Sequence, residues 1–318
     1  MDKRRVLIIG FVIMAVTLGL LHPALAQKFP SKPITVIIPF SPGGSMDIIT
    51  RVVTAEAQKE FNVPVVADNV AEAAGIKGLS TVYNAHPDGY TILAAVLPRH
   101  AQPEIVLGAP VKILDYTYIV GYQKFDMLAA VRKESNIKTF EELKKLAATS
   151  SLSCSIGGMG GTSHLAALYL QKEMGMKFKI VPFKGNAPSM TALLGGHVDF
   201  TLMDSTTLGL QAERVRGLAI FGPEPLSKFP GVPTLKQLGY KVEVGYDIGA
   251  ILGPPKLPQD IARILEEGFT KAMKKKETPE QIDKLGGLPY YVPGKELFQM
   301  AKGGYEKILE YKDLFKAE

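Results

Sequence analysis

At 318 residues, 46% of them hydrophobic, the chain can bury cores for two lobes, which excludes a disordered or fibrous protein. The formal net charge of +6 falls to +4 once residues 1–26, which carry a net +2, are removed; Lys and Arg are dispersed among acidic residues with no aromatic-interleaved basic stripe, so no nucleic-acid partner is expected. The single Cys154 permits no internal disulfide, and in S-C-S-I it reads as a small buried residue.

Residues 1–26 begin with Lys3, Arg4 and Arg5, continue through an apolar run from Val6 to Leu21 and end on Ala24-Leu25-Ala26. That order reads as a secretory signal peptide cut after Ala26, which predicts a periplasmic protein. The run falls short of the roughly 20 residues a membrane-spanning helix prefers.

Ile34 to Phe40 is β-branched and aromatic, as a buried strand needs, and Pro39, Pro42, Gly43 and Gly44 stop it. Ile48, Ile49, Val52, Val53 and Phe61 then recur at helical spacing, with Ser45 placed to cap and Asp47 in the first turn. A helix pointing its N-terminus at a glycine turn offers backbone N–H groups beside the positive end of its dipole, which attracts an anion. Asp47 is stabilised by the same dipole and reads foremost as a structural carboxylate that orients the turn. A strand follows over Val63–Ala67, then a loop holding Asn69, Ala74, Gly75 and Gly78, a helix over Leu79–Asn84, a turn at His86-Pro87-Asp88-Gly89 and a strand over Tyr90–Leu97 whose apolar run implies burial on both faces. Tyr116 to Val131 is an extended segment leaving the first lobe, and Lys138–Ala148 is a helix.

The strand–turn–helix logic then repeats. Ser153–Ile156 leads into Gly157-Gly158-Met159-Gly160-Gly161, then Thr162-Ser163-His164 and a helical run through Leu165, Leu168 and Met174 that closes at Gly175. Two such turns predict two half-sites facing one ligand; neither has the Gly-Lys-Ser/Thr of a P-loop or the spacing of a dinucleotide site. A strand over Phe178–Phe183, a helix over Ala187–Leu194 and a strand over Val198–Met203 follow, the last delivering Asp204, Ser205, Thr206 and Thr207 at its carboxyl end, where ligands of open α/β sheets sit. Residues 215–221 are a strand, 223–233 a Pro-rich loop and 242–252 a return crossing, and helices follow from Pro258 to Lys275, Thr278 to Leu285 and Lys295 to Leu314.

The expected fold class is α/β, a two-lobed type II periplasmic-binding-protein-like fold in which each lobe is a mostly parallel sheet flanked by helices. Lobe 1 is expected over 27–122 and 245–318 and lobe 2 over 123–244, hinged near 121–126 and 245–250. No H-E-x-x-H, second Cys or G-x-S-x-G elbow occurs, and Ser163 and His164 are helix neighbours facing different directions. The chain is therefore expected to be no enzyme and to carry no metal or cofactor.

P-F-S-P-G-G-S-M-D at 39–47, H-P-D-G-Y-T at 86–91, V-P-F-K-G-N-A-P at 181–188, A-L-L-G-G-H-V-D at 192–199 and F-P-G-V-P-T-L at 229–235 together resemble the Bug-type solute receptors of tripartite tricarboxylate transporters. The resemblance covers nearly all of the chain after residue 26. It implies a monomeric receptor that closes around a small organic carboxylate, a di- or tricarboxylate or an aromatic acid, and passes it to the permease subunits of a membrane transporter; a carboxylate-sensing subunit docking on a signalling receptor is the alternative. Carried over, it implicates Gly43, Gly44, Ser45, Gly161, Thr162 and Ser163 in holding one carboxylate, with Asp204 and Ser205 nearer the far end of the ligand and Asp47 and Gly75 also at the site. Relatives often carry small polar residues after Leu93; here Ala94-Ala95-Val96-Leu97-Pro98-Arg99 predicts a more apolar cleft, with Arg99 either a partner for a second carboxylate or simply a surface residue.

Overall fold

The computed structural model describes residues 29–316 except 160, 242–245 and 286, so the signal-peptide reading and part of the second expected hinge lie outside the described residues. The elements in order are β1 (Ile34–Ile38), α1 (Ser45–Phe61), β2 (Val65–Asn69), α2 (Ile76–Tyr83), β3 (Thr91–Leu97), α3 (Gln102–Leu107), β4 (Thr117–Arg132), α4 (Phe140–Thr149), β5 (Leu152–Ile156), α5 (Thr162–Met174), β6 (Phe178–Pro182), α6 (Asn186–Leu194), β7 (Phe200–Asp204), α7 (Ser205–Gly209), β8 (Val215–Ile220), β9 (Tyr246–Gly253), α8 (Gln259–Lys274), α9 (Glu277–Lys284), β10 (Leu288–Pro293) and α10 (Gly294–Glu310).

The strands form two sheets that share β4. In the first, β2, β1 and β3 run parallel, β9 lies antiparallel between β3 and the first half of β4, and β10 takes the other edge of that half. In the second, the far half of β4 pairs antiparallel with β7 on one side and β8 on the other, and β7, β5 and β6 run parallel. Each sheet thus has the parallel set the strand–helix alternation predicts, joined to antiparallel strands that alternation does not show. β4 changes sheet between Asp126, which faces Tyr246 of β9, and Met127, which faces Asp204 of β7. Its register slips between Tyr118 and Val120 and again between Gly121 and Gln123, and such bulges bend and twist a strand.

Strand β10, not expected from the sequence, carries Pro289 and Pro293, which an edge position tolerates because no outer partner needs their missing N–H. Burial follows the sheets. Val36, Ile38, Ile49, Val53, Phe61, Leu265 and Phe269 bury α1 and α8 against one face of the first sheet. Val292, Leu297 and Ile308 belong to the same core as Phe140, Leu165, Phe178 and Phe200, so α10 and α5 tie the two sheets together along one side. His164 is fully buried there, its ring edge-on to Phe315 at 5.2 Å. Cys154 is fully buried, and burial pushes its thiol well above the usual range. No helix among the described residues is long and apolar enough to cross a membrane.

Candidate functional site

A cavity of about 500 Å³ opens between the sheets. Its walls include both glycine turns, with Gly43, Gly44 and Ser45 on one side and Gly161, Thr162 and Ser163 on the other, and Asp204 and Arg99 also line it. The chain therefore brings together eight of the eleven residues singled out in the sequence; Asp47, Gly75 and Ser205 do not reach the lining.

The two helix starts are built alike. Gly44 caps α1 and Gly161 caps α5, both with extended backbone and no side-chain capping bond. Ser45, expected to cap, is instead the first helical residue, because Gly44 supplies the carbonyl that accepts the first intrahelical bond, from Ile48 N–H at 3.0 Å. On α5 the matching bond runs from Leu165 N–H to the Gly161 carbonyl at 2.9 Å. The amides of Ser45 and Met46, and of Thr162 and Ser163, precede those bonds and have no acceptor within their helices. Away from the cleft the sequence caps differently: α4 begins with a full capping box, Thr139 accepting from Glu142 N–H while the Glu142 carboxylate accepts from Thr139 N–H.

Asp47 holds one turn from behind. It is 5% exposed and accepts from Gly43 N–H at 2.9 Å, from Arg51 Nε at 2.9 Å and from Asn69 Nδ2 at 3.0 Å. Burial works to raise its pKa, but the bonds from Gly43, Arg51 and Asn69 outweigh it and hold the carboxyl below the usual range. Gly75 also acts from behind: with φ of +88° and its absent Cβ only 2.6 Å from the Pro39 carbonyl, it lets the loop pack beneath the end of β1. Ser205 is buried at the start of α7, and no partner for its hydroxyl appears among the described residues. On the second turn, Ser163 Oγ accepts from Gly157 N–H at 3.3 Å, which draws the glycine loop over the helix end.

Asp204 caps α7, accepting from Thr207 N–H at 2.9 Å and Thr207 Oγ1 at 2.8 Å, and takes Asn186 Nδ2 at 2.5 Å. Burial raises its pKa in spite of those donors and the nearby Arg99. The Arg99 guanidinium stands 5.4 Å from the centre of the Phe40 ring, whose other neighbour is His100, stacked at 5.3 Å. His100 accepts from Val96 N–H and is held neutral, with burial and then Arg99 lowering its pKa to about 3.

Several lining residues were not anticipated. Lys184 and Asn186 belong to the K-G-N-A-P turn, a motif visible in the sequence but not assigned to the site. Asp247 in β9 is the larger omission. It is 6% exposed, accepts from Thr162 Oγ1 at 2.6 Å and so links the first sheet to the helix of the second. A lone acid in the apolar run Y-D-I-G-A-I-L was the available signal, since a strand buried on both faces does not hold a carboxylate without cause. Because the Thr162 hydroxyl is taken by Asp247, Thr162 offers a ligand its backbone amide rather than its side chain. Among the described residues, no group of three or more His, Cys, Asp or Glu is placed to hold a metal.

Residues 49–311 match the profile of the tripartite tricarboxylate transporter family receptor, TctC. The chain is 32% identical to the UPF0065 protein in the gbd 5′ region of Cupriavidus necator, over 97% of each chain. It is 27% identical to protein BugT of Bordetella pertussis, over 91% of this chain and 90% of that one. Among solved structures it is similar to MatC from Rhodopseudomonas palustris with bound malate, at 25% identity and a TM-score of 0.76 over 90% of this chain and 100% of MatC.

Proposed function

Since the chain belongs to the tripartite tricarboxylate transporter receptor family, whose members are solute-binding receptors, we propose that it is an exported receptor that closes around a small organic carboxylate and presents it to the permease subunits of such a transporter. One observation carries the reading: two glycine-capped helix starts, one from each side, open on a single cavity between the sheets. A carboxylate there accepts from backbone amides at the positive ends of two dipoles. The bound malate of MatC is an acid of the same class.

The magnitudes are adequate without a cation in the turns. Four charge-assisted bonds at about 1.5–3 kcal/mol each and two helix ends at about 0.3–1 kcal/mol give roughly 7–14 kcal/mol gross. Association and ordering cost about 4 kcal/mol or more, which leaves room for an affinity near 1 μM, about 8 kcal/mol. Arg99 and Lys184 on the walls are then free to select the rest of the ligand, a second carboxylate or an aromatic acid.

The test is a thermal-shift screen of the mature chain against mono-, di- and tricarboxylates and aromatic acids, followed by isothermal titration of each hit. A ligand that binds only the folded state raises the melting temperature, so at least one acid is expected to do so and to titrate with one site. Acids without effect, beside a neutral or cationic solute that does stabilise, would refute the assignment. Export is checked by intact-mass measurement of periplasmic material, where the chain is expected to begin at Gln27.

A further inference from the structure

One acid in the cleft has no place in an anion-binding arrangement. Asp247 is the second residue of β9, opposite Phe125 of β4, in a strand whose Ile248, Ala250, Ile251 and Leu252 are buried. Its Oδ2 accepts from Thr162 Oγ1 at 2.6 Å, but its Oδ1 is buried and finds no hydrogen-bond partner among the described residues. Thr206, at the start of α7 and 1% exposed, likewise has a buried hydroxyl without a partner. Both residues line the cavity that holds the two glycine turns. Buried polar atoms in folded proteins are almost always satisfied, and a carboxylate oxygen is the costliest of them to leave alone.

The charges around the acid indicate what would satisfy it. The Thr162 bond and the Arg99 charge after β3 favour its ionised form, the Arg99 backbone amide adding to this from nearby without closing a hydrogen bond onto Oδ1, while Asp204 at the end of β7 opposes ionisation. Burial is the largest influence and lifts the pKa of Asp247 to about 6, so the group is ionised at neutral pH and lacks one donor. A second carboxylate set against Asp247 and Asp204 would meet like charge. An ammonium or hydroxyl would meet an acceptor.

We propose that Asp247 is the specificity-determining residue of this cleft and that its unpartnered oxygen accepts from an ammonium or hydroxyl group on the ligand. The inference rests on the reading that the glycine turns hold a carboxylate. Thr162 then fixes the spacing: its backbone amide belongs to the carboxylate site while its hydroxyl touches Asp247, so the donor group sits within one or two carbons of the carboxylate. The ligand class is accordingly an amino or hydroxy acid substituted near the bound carboxylate, in preference to the unsubstituted acid of equal length.

Isothermal titration at pH 7.5 tests this with matched probes: succinate, malate and aspartate; glutarate, 2-hydroxyglutarate and glutamate; phenylacetate and mandelate. In at least one set the substituted acid is expected to bind more than about tenfold tighter than its unsubstituted partner. Asp247→Ala should bring that ratio near unity. Asp247→Asn separates the two donors, because the amide oxygen still accepts from a hydroxyl but no longer carries charge for an ammonium. A preference that survives in Asn but not Ala identifies the hydroxyl, and one lost in both identifies the ammonium. Unsubstituted acids that bind the unaltered protein as tightly as substituted ones would overturn the inference while leaving the carboxylate receptor intact, and so would a preference that persists in Asp247→Ala. If no carboxylate in the panel binds, both readings fail together. The comparison on the unaltered protein does not depend on either variant folding.

Discussion

Replacing Gly161 with Asp should separate stability from binding. Gly161 has φ −86° and ψ 174°, backbone that any residue adopts, and a Cβ there would meet only Gly158 O at 3.5 Å and Ser163 Oγ at 4.0 Å. An aspartate therefore fits, and its carboxylate can turn back onto the amides of the first turn of α5 as an ordinary N-cap does. A few tenths of a kcal/mol for the better cap plus about 0.3–1 kcal/mol from the dipole give a gain of about 0.5–1.5 kcal/mol, or roughly 1–5 °C in melting temperature for a protein of this size or smaller. The same carboxylate occupies the donors meant for the ligand. Losing two charge-assisted bonds at about 1.5–3 kcal/mol each corresponds to a fall in affinity of at least about a hundredfold. Thermal melts of the unliganded variant and titration with the tightest acid from the screen provide the two readings, with Gly161→Ala, expected within about threefold of the unaltered protein, as the steric control. A variant that melts higher and still binds normally would refute the paired-turn site. One that loses binding and melts several degrees lower would show that the glycine serves packing, contrary to the space around it.

Thr162→Val removes the hydroxyl that donates to Asp247 and with it a bond between the two sides of the cleft; a cost of about 1–3 kcal/mol to that arrangement should weaken ligand binding about tenfold to a hundredfold, read by titration. Asp47→Asn should lower stability at pH 7 by about 1–3 kcal/mol. Because the Asp47 pKa is depressed in the fold, that contribution is present above the unfolded value near 4 and fades as pH falls through the folded one, so urea melts of Asp47→Asn and the unaltered protein should differ at pH 7 and converge at acid pH. Asp247 has the opposite sign: with its pKa raised to about 6 by burial, folding is penalised as pH rises from about 4 to about 6, and unliganded Asp247→Asn should be more stable than the unaltered protein at pH 7.5 by an amount on the order of 3 kcal/mol. Cys154 should resist thiol reagents in the folded protein and react fully in denaturant, as its burial and raised pKa require.

The parts legible in the sequence are those set by neighbours along the chain. An apolar run broken by Pro and Gly, then a helical period, locates β1 with α1 and β5 with α5, and Gly175 in left-handed backbone ends α5 where a glycine is expected to. The capping box of Thr139 and Glu142 at the start of α4 is equally local, although only the helix is read from the sequence. What the sequence hides depends on residues far apart. β9 reaches its place through pairing with β4, some 130 residues earlier, and only that register sets Asp247 against Thr162. The two prolines of β10 argue against a strand until the strand is known to lie on an edge. Asp47 reads from the sequence first as a carboxylate that orients the turn, and its bond from Gly43 N–H fits that reading; that neither it nor Gly75 lines the cavity is a distinction of position that no spacing along the chain encodes.

The sharing of β4 has a mechanical meaning. Its sixteen residues carry hydrogen bonds for both sheets, to Asp126 with β9 and from Met127 with β7 and β8. A cut between Asp126 and Met127 would therefore not release two independent halves. It would leave the second sheet its ladder from Met127 onward, but it would part Thr117–Asp126 from β9 and β10 and so expose, in the first sheet, unpaired strand edges of the kind that recruit other chains. The two sheets are joined through one continuous strand, and any fragment used to study one side of the cleft must be supplied with its portion of that strand and with the strands that pair with it.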